Sequence, residues 1–88
     1  MGDKQEVNMV YNVAIALANS GLSDSDLLYI ADAVYAAERP KDSIALEAFA
    51  RQKNHIKLAN HLFVACKHRS IDADTGTKVV TSTIDLLV

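Results

Sequence analysis

The feature that most constrains the fold is the sorting of side chains along residues 43–69 when they are placed on a helical wheel. At about 100° per residue, the apolar side chains share one broad arc. Three of them, Phe49, Ile56 and Phe63, stand seven apart, which is typical of a core or a coiled-coil-like seam. The other members of the arc are Ala45, Ala48, Ala59, Leu62 and Cys66. The pattern predicts one helix from Ser43 to His68, about 39 Å long.

The opposite face of this predicted helix carries a cationic stripe. It consists of Lys53, Lys57 and His61 at i, i+4 and i+8, with Asn54, Asn60 and His68 alongside. Glu47 lies outside the stripe, so the stripe has no local counterion, and like charges at i, i+4 cost a few tenths of a kcal/mol each. The pattern predicts that an anionic ligand binds the stripe, and phosphate is the natural partner of lysine and amide groups. The competing interpretation is an ordinary solvated surface.

Charge is also segregated along the chain. Residues 41–69 carry six of the nine Lys and Arg, all three His and only two acids. The net formal charge is −4 for residues 1–40, +4 for 41–69 and −2 for 70–88. The middle third is therefore where an anionic ligand is expected to bind.

Two shorter helices are predicted before the long one. Apolar residues at helical spacing indicate a first helix over 5–19, which should stop at Asn19-Ser20-Gly21 because glycine accepts the left-handed conformation of a helix end. The run of N-cap residues at 23–26 introduces a second helix over 25–38. Arg39-Pro40 then interrupts the pattern, and Asp42 and Ser43 can cap the third helix.

The tail, residues 70–88, allows two conformations. Asp74-Thr75-Gly76 is a good turn, so Ser70–Ala73 and Lys78–Ile84 could pair as a hairpin. Val80, Ile84 and Leu87 also stand at helical spacing. A short final helix is the favoured prediction, and the hairpin remains the alternative.

Composition limits the classes of protein that this chain can represent. Hydrophobic residues make up 50% of only 88 residues, so there is little interior to hide them and self-association is expected. The single cysteine, Cys66, cannot form an intramolecular disulfide and is expected to be a small buried group. No apolar run reaches membrane-spanning length, and the polar, acidic start is unlike a signal peptide. We expect a cytoplasmic protein, in the host cytoplasm if it is viral, with no membrane partner.

Catalytic, metal and cofactor motifs are absent from the sequence, which predicts a binding protein and not an enzyme. His61 and His68 are seven apart, too far for one metal ion, so no metal site and no cofactor are predicted. Tyr11 on the first helix is flanked by amides, and its ring could either pack or stack on a base. The predicted ligand-binding residues are Tyr11, Asn12, Lys53, Lys57, His61 and His68.

The residues from Arg39 to Phe49 carry a resemblance. A helix break followed by Ser43-Ile44-Ala45-Leu46 opening a helix resembles the helical-hairpin domain of small phage anti-defence proteins, which sequester the cyclic oligonucleotide signals of CBASS and Thoeris systems. The resemblance implies a homo-oligomer with nucleotide pockets between protomers, where an aromatic ring stacks on bases and cations contact phosphates. None of the candidate ligand residues lies within the matching stretch.

These observations predict an all-α protein of one domain, residues 1–88: a three-helix bundle with a long third helix and a short C-terminal element, forming an oligomer. The leading functional hypothesis is sequestration of a phosphorylated ligand, most specifically a cyclic di- or oligonucleotide. One alternative is an inhibitor that docks its basic helix on an acidic host protein. A winged-helix DNA binder, with the tail hairpin as its wing, is a weaker alternative because the net charge of −2 disfavours nucleic acid.

Overall fold

The chain is all-helical throughout the part described by its computed structural model, which covers the backbone of residues 2–35 and 41–88 and the side chains of 8–34 and 44–88. Five helices occupy these ranges, and no strand does: α1 (Gly2–Asn19), α2 (Asp24–Tyr35), α3 (Lys41–Arg51), α4 (His55–His68) and α5 (Ala73–Leu87). The all-α prediction is therefore confirmed. The hairpin alternative for the tail is wrong, and the final helix is longer than the short element predicted.

The turn between α1 and α2 forms where the sequence predicts it. Helix α1 ends at Asn19, and Gly21 has a φ of 70°, in the left-handed region that glycine enters without strain. The Ser23 hydroxyl then accepts a hydrogen bond of 3.2 Å from the amide of Asp26, which caps α2. The predicted end of α2 at residue 38 and the Arg39-Pro40 break lie outside the described residues.

The prediction of a single long third helix is wrong, because the chain turns between α3 and α4. The amide of Asn54 donates to the carbonyl of Phe49 at 3.0 Å and that of Lys53 to Ala50 at 3.1 Å. These two bonds form a Schellman motif, and Lys53 occupies its left-handed position with a φ of 56°. Asn54 both completes this motif and caps α4, since its side chain accepts from the amide of Lys57. Two helices therefore meet at a corner with almost no linker.

The start of α3 also differs from the prediction. Helix α3 begins at Lys41, so the backbone at Asp42 and Ser43 is already helical and neither residue is an N-cap. Their side chains lie outside the described residues.

The same corner recurs between α4 and α5. The amide of Ile71 donates to the carbonyl of Cys66 at 2.8 Å and that of Ser70 to Lys67 at 3.2 Å. Ser70 takes the left-handed position with a φ of 58°. Asp72 then caps α5 by accepting from the amide of Thr75. The turns on either side of α4 thus place Lys53 and Ser70 in the left-handed conformation, which glycine adopts more easily.

Substitution of Ser70 should reveal this strain. We expect Ser70→Gly to stabilise the fold by about 0.5–1 kcal/mol, because glycine accepts positive φ, and Ser70→Val to destabilise it by about 1–2 kcal/mol, because a β-branched residue does not. Urea unfolding followed by circular dichroism measures both. Ser70 is exposed, so packing changes little. The reverse order of the two stabilities would contradict the assigned backbone conformation.

The core is drawn from all five described helices. Its buried residues are Val13, Ala14, Leu17, Leu27, Ile30, Ala31, Val34, Leu46, Ala50, Leu58, Ala59, Leu62, Ala65, Cys66 and Val80. Helix α5 packs against α1, α2 and α4. The predicted seam is only partly correct: Ala59, Leu62 and Cys66 are buried, but Ile56 is 50% exposed. The corner at residues 52–54 changes the direction of the chain, so residues seven apart across it no longer share a face.

Gly76 explains how α4 and α5 approach each other. A Cβ atom at Gly76 would lie 3.2 Å from the sulfur of Cys66, a tight contact to which the sulfur would have to adjust. The glycine predicted to make a hairpin turn is therefore a buried packing position inside α5. Cys66 is 2% exposed, which confirms its prediction as a buried group. Burial raises the pKa of its thiol, while the charge of Arg69 opposes that rise.

Candidate ligand-binding groove

A groove of about 780 Å³ runs along α4 between α1 and the corner that leads into α5. We call it the main groove. Its apolar lining consists of Val10, Ile56, Phe63, Val64, Ile71 and Ala73. Its polar and aromatic lining consists of Tyr11, Lys57, Asn60, Lys67, Ser70 and Asp72. A mostly apolar cleft with a few polar groups is the usual chemistry of a small-molecule site.

The local sequence explains why apolar residues line this groove. On α4 the buried residues, such as Leu58 and Leu62, face the core, and Ile56, Asn60 and Lys67 lie on a neighbouring face of the same helix. Ile56 is 50% exposed and Val64 46%, so both apolar side chains are accessible from the groove that they line.

A second cavity of about 500 Å³, the side groove, adjoins the main groove beside the α3–α4 corner. Tyr11 and Ile56 line both grooves, so the two lie side by side. The other residues that line the side groove are Ala14, Ile15, Ala18, Gln52, Lys53, Asn54 and His55. Tyr11, which borders both grooves, is half exposed.

Three of the predicted ligand residues lie at these grooves. Tyr11 borders both, Lys57 lines the main groove, and Lys53 lines the side groove. Asn54 and Asn60, which flank the stripe in the sequence, line the side and main grooves respectively. The structure thus brings an aromatic ring from α1 near a lysine from α4.

The remaining three predicted residues lie away from the grooves. Asn12 is exposed on α1 and His68 is exposed in the last turn of α4, and neither lines a groove. His61 is half buried and its ring meets Phe49 of α3 edge to face, with 6.1 Å between ring centroids. The corner folds α3 against α4, so His61 packs between helices.

The cationic stripe does not exist as one helical row. Lys53 lies in the corner, outside any helix, and its Nζ is 3.3 Å from Oδ1 of Asp24 on α2. The expectation that the stripe has no counterion is therefore wrong at Lys53. Arg51 also pairs with Glu47, one turn before it. Both pairs are largely exposed, so each contributes at most about 1 kcal/mol. Lys57 remains the stripe lysine that lines the main groove.

Asp72 places a carboxylate at the α5 end of the main groove. The hydroxyl of Thr75 donates to its Oδ1 at 2.6 Å, and the amide of Thr75 donates to its Oδ2 at 3.4 Å. Both hydrogen bonds stabilise the ionised carboxylate and hold the pKa of Asp72 below its ordinary value. The hydroxyl of Thr75 makes the larger contribution and its amide the smaller one. The main groove therefore has Lys57 near the start of α4, Lys67 in the last turn of that helix and the carboxylate of Asp72 beyond its end.

The lowered pKa of Asp72 predicts a specific dependence of stability on pH. The stabilisation from the ionised cap is present above the unfolded pKa and is lost as pH falls through the folded pKa. We expect Asp72→Asn to flatten the acid limb of a plot of unfolding free energy against pH, because asparagine caps without titrating. Thr75→Val, which removes only the hydroxyl donor, should give an intermediate slope. An unchanged limb in Asp72→Asn would contradict the assigned cap.

Sequence reasoning missed most of the groove lining. The sequence pattern places Ile56 and Phe63 in the core, and it gives Ser70, Ile71 and Asp72 no part in ligand binding. One available signal was the polar run Arg51-Gln52-Lys53-Asn54, which covers a full helical turn without an apolar residue and marks the corner. The approach of α1 to α4 leaves no comparable signal in the sequence.

The described residues form neither a cluster of metal-ligating side chains nor a membrane-spanning helix. No three His, Cys, Asp or Glu side chains among the described residues lie close enough to hold a metal ion. Of the helices described, none combines the length and apolar character needed to span a membrane.

The fold and the groove define an all-helical domain with an apolar cleft along one helix. Comparison of the chain with protein-family models, with curated proteins and with solved structures finds no match.

Proposed function

We propose that this protein is a non-enzymatic binding protein that holds a phosphorylated ligand with a flat ring system in the main groove and acts by sequestering it. A cyclic di- or oligonucleotide is the ligand class we favour. The observation that carries the proposal is the convergence of Tyr11, Lys57 and Asn60 on a largely apolar groove of about 780 Å³. This volume lies within the roughly 300–1,000 Å³ range of small-molecule sites.

The lining suggests how such a ligand would lie. The ammonium of Lys57 suits a phosphate, whereas the carboxylate of Asp72 repels one and accepts hydrogen bonds from amino groups. Phosphate is therefore expected toward Lys57, with Lys67 as a second cation in the last turn of α4, and a base with an exocyclic amine toward Asp72. The ring of Tyr11 can stack on a base, and Asn60 can read a base edge. A cyclic nucleotide carries both kinds of group at a fixed separation.

The resemblance over residues 39–49 also favours cyclic oligonucleotides. Of this stretch, residues 44–49 have described side chains and none of them lines the main groove, so the resemblance and the groove chemistry are separate arguments for the same ligand class. The proposed mechanism is stoichiometric, because binding alone removes a signal from solution. It requires affinity and abundance, with no chemical step.

The test is calorimetric titration of the purified protein with cyclic dinucleotides and trinucleotides, paired with thermal unfolding. At 100-fold excess over the Kd, a ligand should stabilise the fold by about 2.7 kcal/mol. For a domain of this size that corresponds to a rise in Tm of roughly 10–20 °C. Neither heat nor a shift in Tm with any of these ligands would overturn the proposal.

Each of the two alternative functions depends on a structural element that differs from the sequence prediction. A winged-helix DNA binder needs the tail hairpin as its wing, and residues 73–87 are helical. An inhibitor docking one continuous basic helix on an acidic host protein needs a helix that the α3–α4 corner interrupts. Retention of a defined host polypeptide in a pull-down, without bound nucleotide, would favour the inhibitor over the sequestering protein.

A further inference from the structure

Two hydrogen bonds orient the carboxylate of Asp72 at the α5 end of the main groove. The hydroxyl of Thr75 donates to Oδ1 at 2.6 Å and its amide donates to Oδ2 at 3.4 Å. Each carboxylate oxygen has about two acceptor positions, so Thr75 fills one on each oxygen and leaves one on each. Asp72 is exposed and lines the groove, so these remaining positions are accessible to a ligand.

This carboxylate can only accept hydrogen bonds. Its contacts with Thr75, that of the hydroxyl above all, hold its pKa below the ordinary value, so it is ionised at neutral pH and has no proton to donate. A ligand group that meets both oxygens must therefore supply two donors. An acceptor placed against either oxygen would be repelled, because both atoms carry negative charge.

The common bases differ in whether they offer two neighbouring donors. The Watson–Crick edge of guanine carries a ring N–H beside the exocyclic amino group, so two donors stand side by side. Adenine and cytosine each carry an amino group beside a ring nitrogen that only accepts. Uracil carries a single ring N–H between two carbonyl oxygens. Guanine is therefore the base whose edge complements the two oxygens of a carboxylate.

We infer that Asp72 selects guanine in the main groove, where its two oxygens accept hydrogen bonds from the ring N–H and the amino group of that base. The inference rests on the function proposed above and identifies the base of its ligand. The same edge of guanine ends in a carbonyl oxygen, which needs a donor. Ser70, two residues before Asp72, and Lys67 both line the groove and carry donors, whereas adenine has an amino group at this position.

Calorimetric titration with cyclic di-GMP and with cyclic di-AMP tests the inference. The two ligands share one backbone and the same phosphates, so Lys57 contributes equally to both. The wild type should bind cyclic di-GMP about 10–100-fold more tightly, which is the discrimination that two hydrogen bonds to one base edge provide. Equal affinities, or a preference for adenine, would overturn the inference and leave the proposed function standing. Binding of neither also overturns it, and the wider ligand set above then decides the proposed function.

The variant Asp72→Asn should reverse the preference. Asparagine presents one acceptor and one donor, which complement the amino group and the neighbouring ring nitrogen of adenine. We expect the variant to bind cyclic di-GMP at least about 10-fold more weakly than the wild type and to prefer cyclic di-AMP. Asparagine is also a good N-cap, so α5 should keep its start. An unchanged preference for guanine, or an equal loss of both ligands, would contradict base selection by Asp72.

Asp74→Asn is the matched control for this variant. Asp74 lies in the first turn of α5, is exposed, pairs with Lys78 and does not line the main groove. Its substitution removes the same charge, so it measures the general effect of that charge on an anionic ligand. The preference for guanine should be retained. If Asp74→Asn shifts the preference as far as Asp72→Asn does, the inference fails. Unchanged circular dichroism confirms that both variants fold.

Discussion

The Ile30→Ala variant is expected to lose about 2–5 kcal/mol of unfolding free energy, the largest loss we predict for a single substitution. Ile30 is fully buried on α2, which packs against α3, α4 and α5. Removing its outer carbons leaves a cavity that the neighbouring helices fill only in part. A domain of 88 residues has a total stability of roughly 4–13 kcal/mol, so this loss is a large share of it.

Urea unfolding followed by circular dichroism measures this effect, with a lower midpoint and an unchanged slope. The matched control is Tyr29, the residue immediately before Ile30. Tyr29 is 58% exposed, so Tyr29→Ala removes more atoms but should change stability by only about 0.5 kcal/mol. Equal losses for the two variants would mean that α2 does not turn Ile30 toward the core.

The second large effect is on binding. Lys57→Glu should weaken the binding of a cyclic dinucleotide by about 10–100-fold, because it replaces the cation expected at the phosphate with an anion. The effect should shrink as salt is added, since the interaction lies in an open groove. Calorimetric titration at two salt concentrations gives both quantities.

Lys78→Glu is the matched control for this experiment. Lys78 is exposed on α5, pairs with Asp74 at 3.3 Å and does not line the main groove. The substitution changes the net charge of the protein by the same amount, so it removes any general attraction for an anion equally. If both variants lose the same affinity, the main groove is not where the phosphate binds.

Local signals predicted the parts of the fold that depend on single residues. Gly21 and Ser23 mark the turn between α1 and α2 because the left-handed position and the N-cap each have a strong residue preference. The α3–α4 corner escaped prediction because Lys53 occupies a position where glycine is the usual signal. The regular spacing of Phe49, Ile56 and Phe63 then favoured one continuous helix.

The candidate site was predicted only in part, for a related reason. Tyr11 and Lys57 could be chosen from their chemistry, and both lie at the main groove. His61 could not be excluded, because its contact with Phe49 exists only once α3 folds back on α4. Asp72 belongs to the groove through the second corner, which depends on the left-handed backbone of Ser70. A corner whose left-handed position holds a residue other than glycine is hard to predict from the sequence, because the usual signal for it is missing.

The two corners also make the length of α4 critical. Each ends one helix and begins the next within a few residues, so neither contains slack that could absorb an added residue. One residue inserted within the first turn of α4 would turn the rest of that helix by about 100°. Leu58 and Leu62, buried at present, would then leave the core. We therefore expect the protein to tolerate substitutions at these corners better than insertions or deletions.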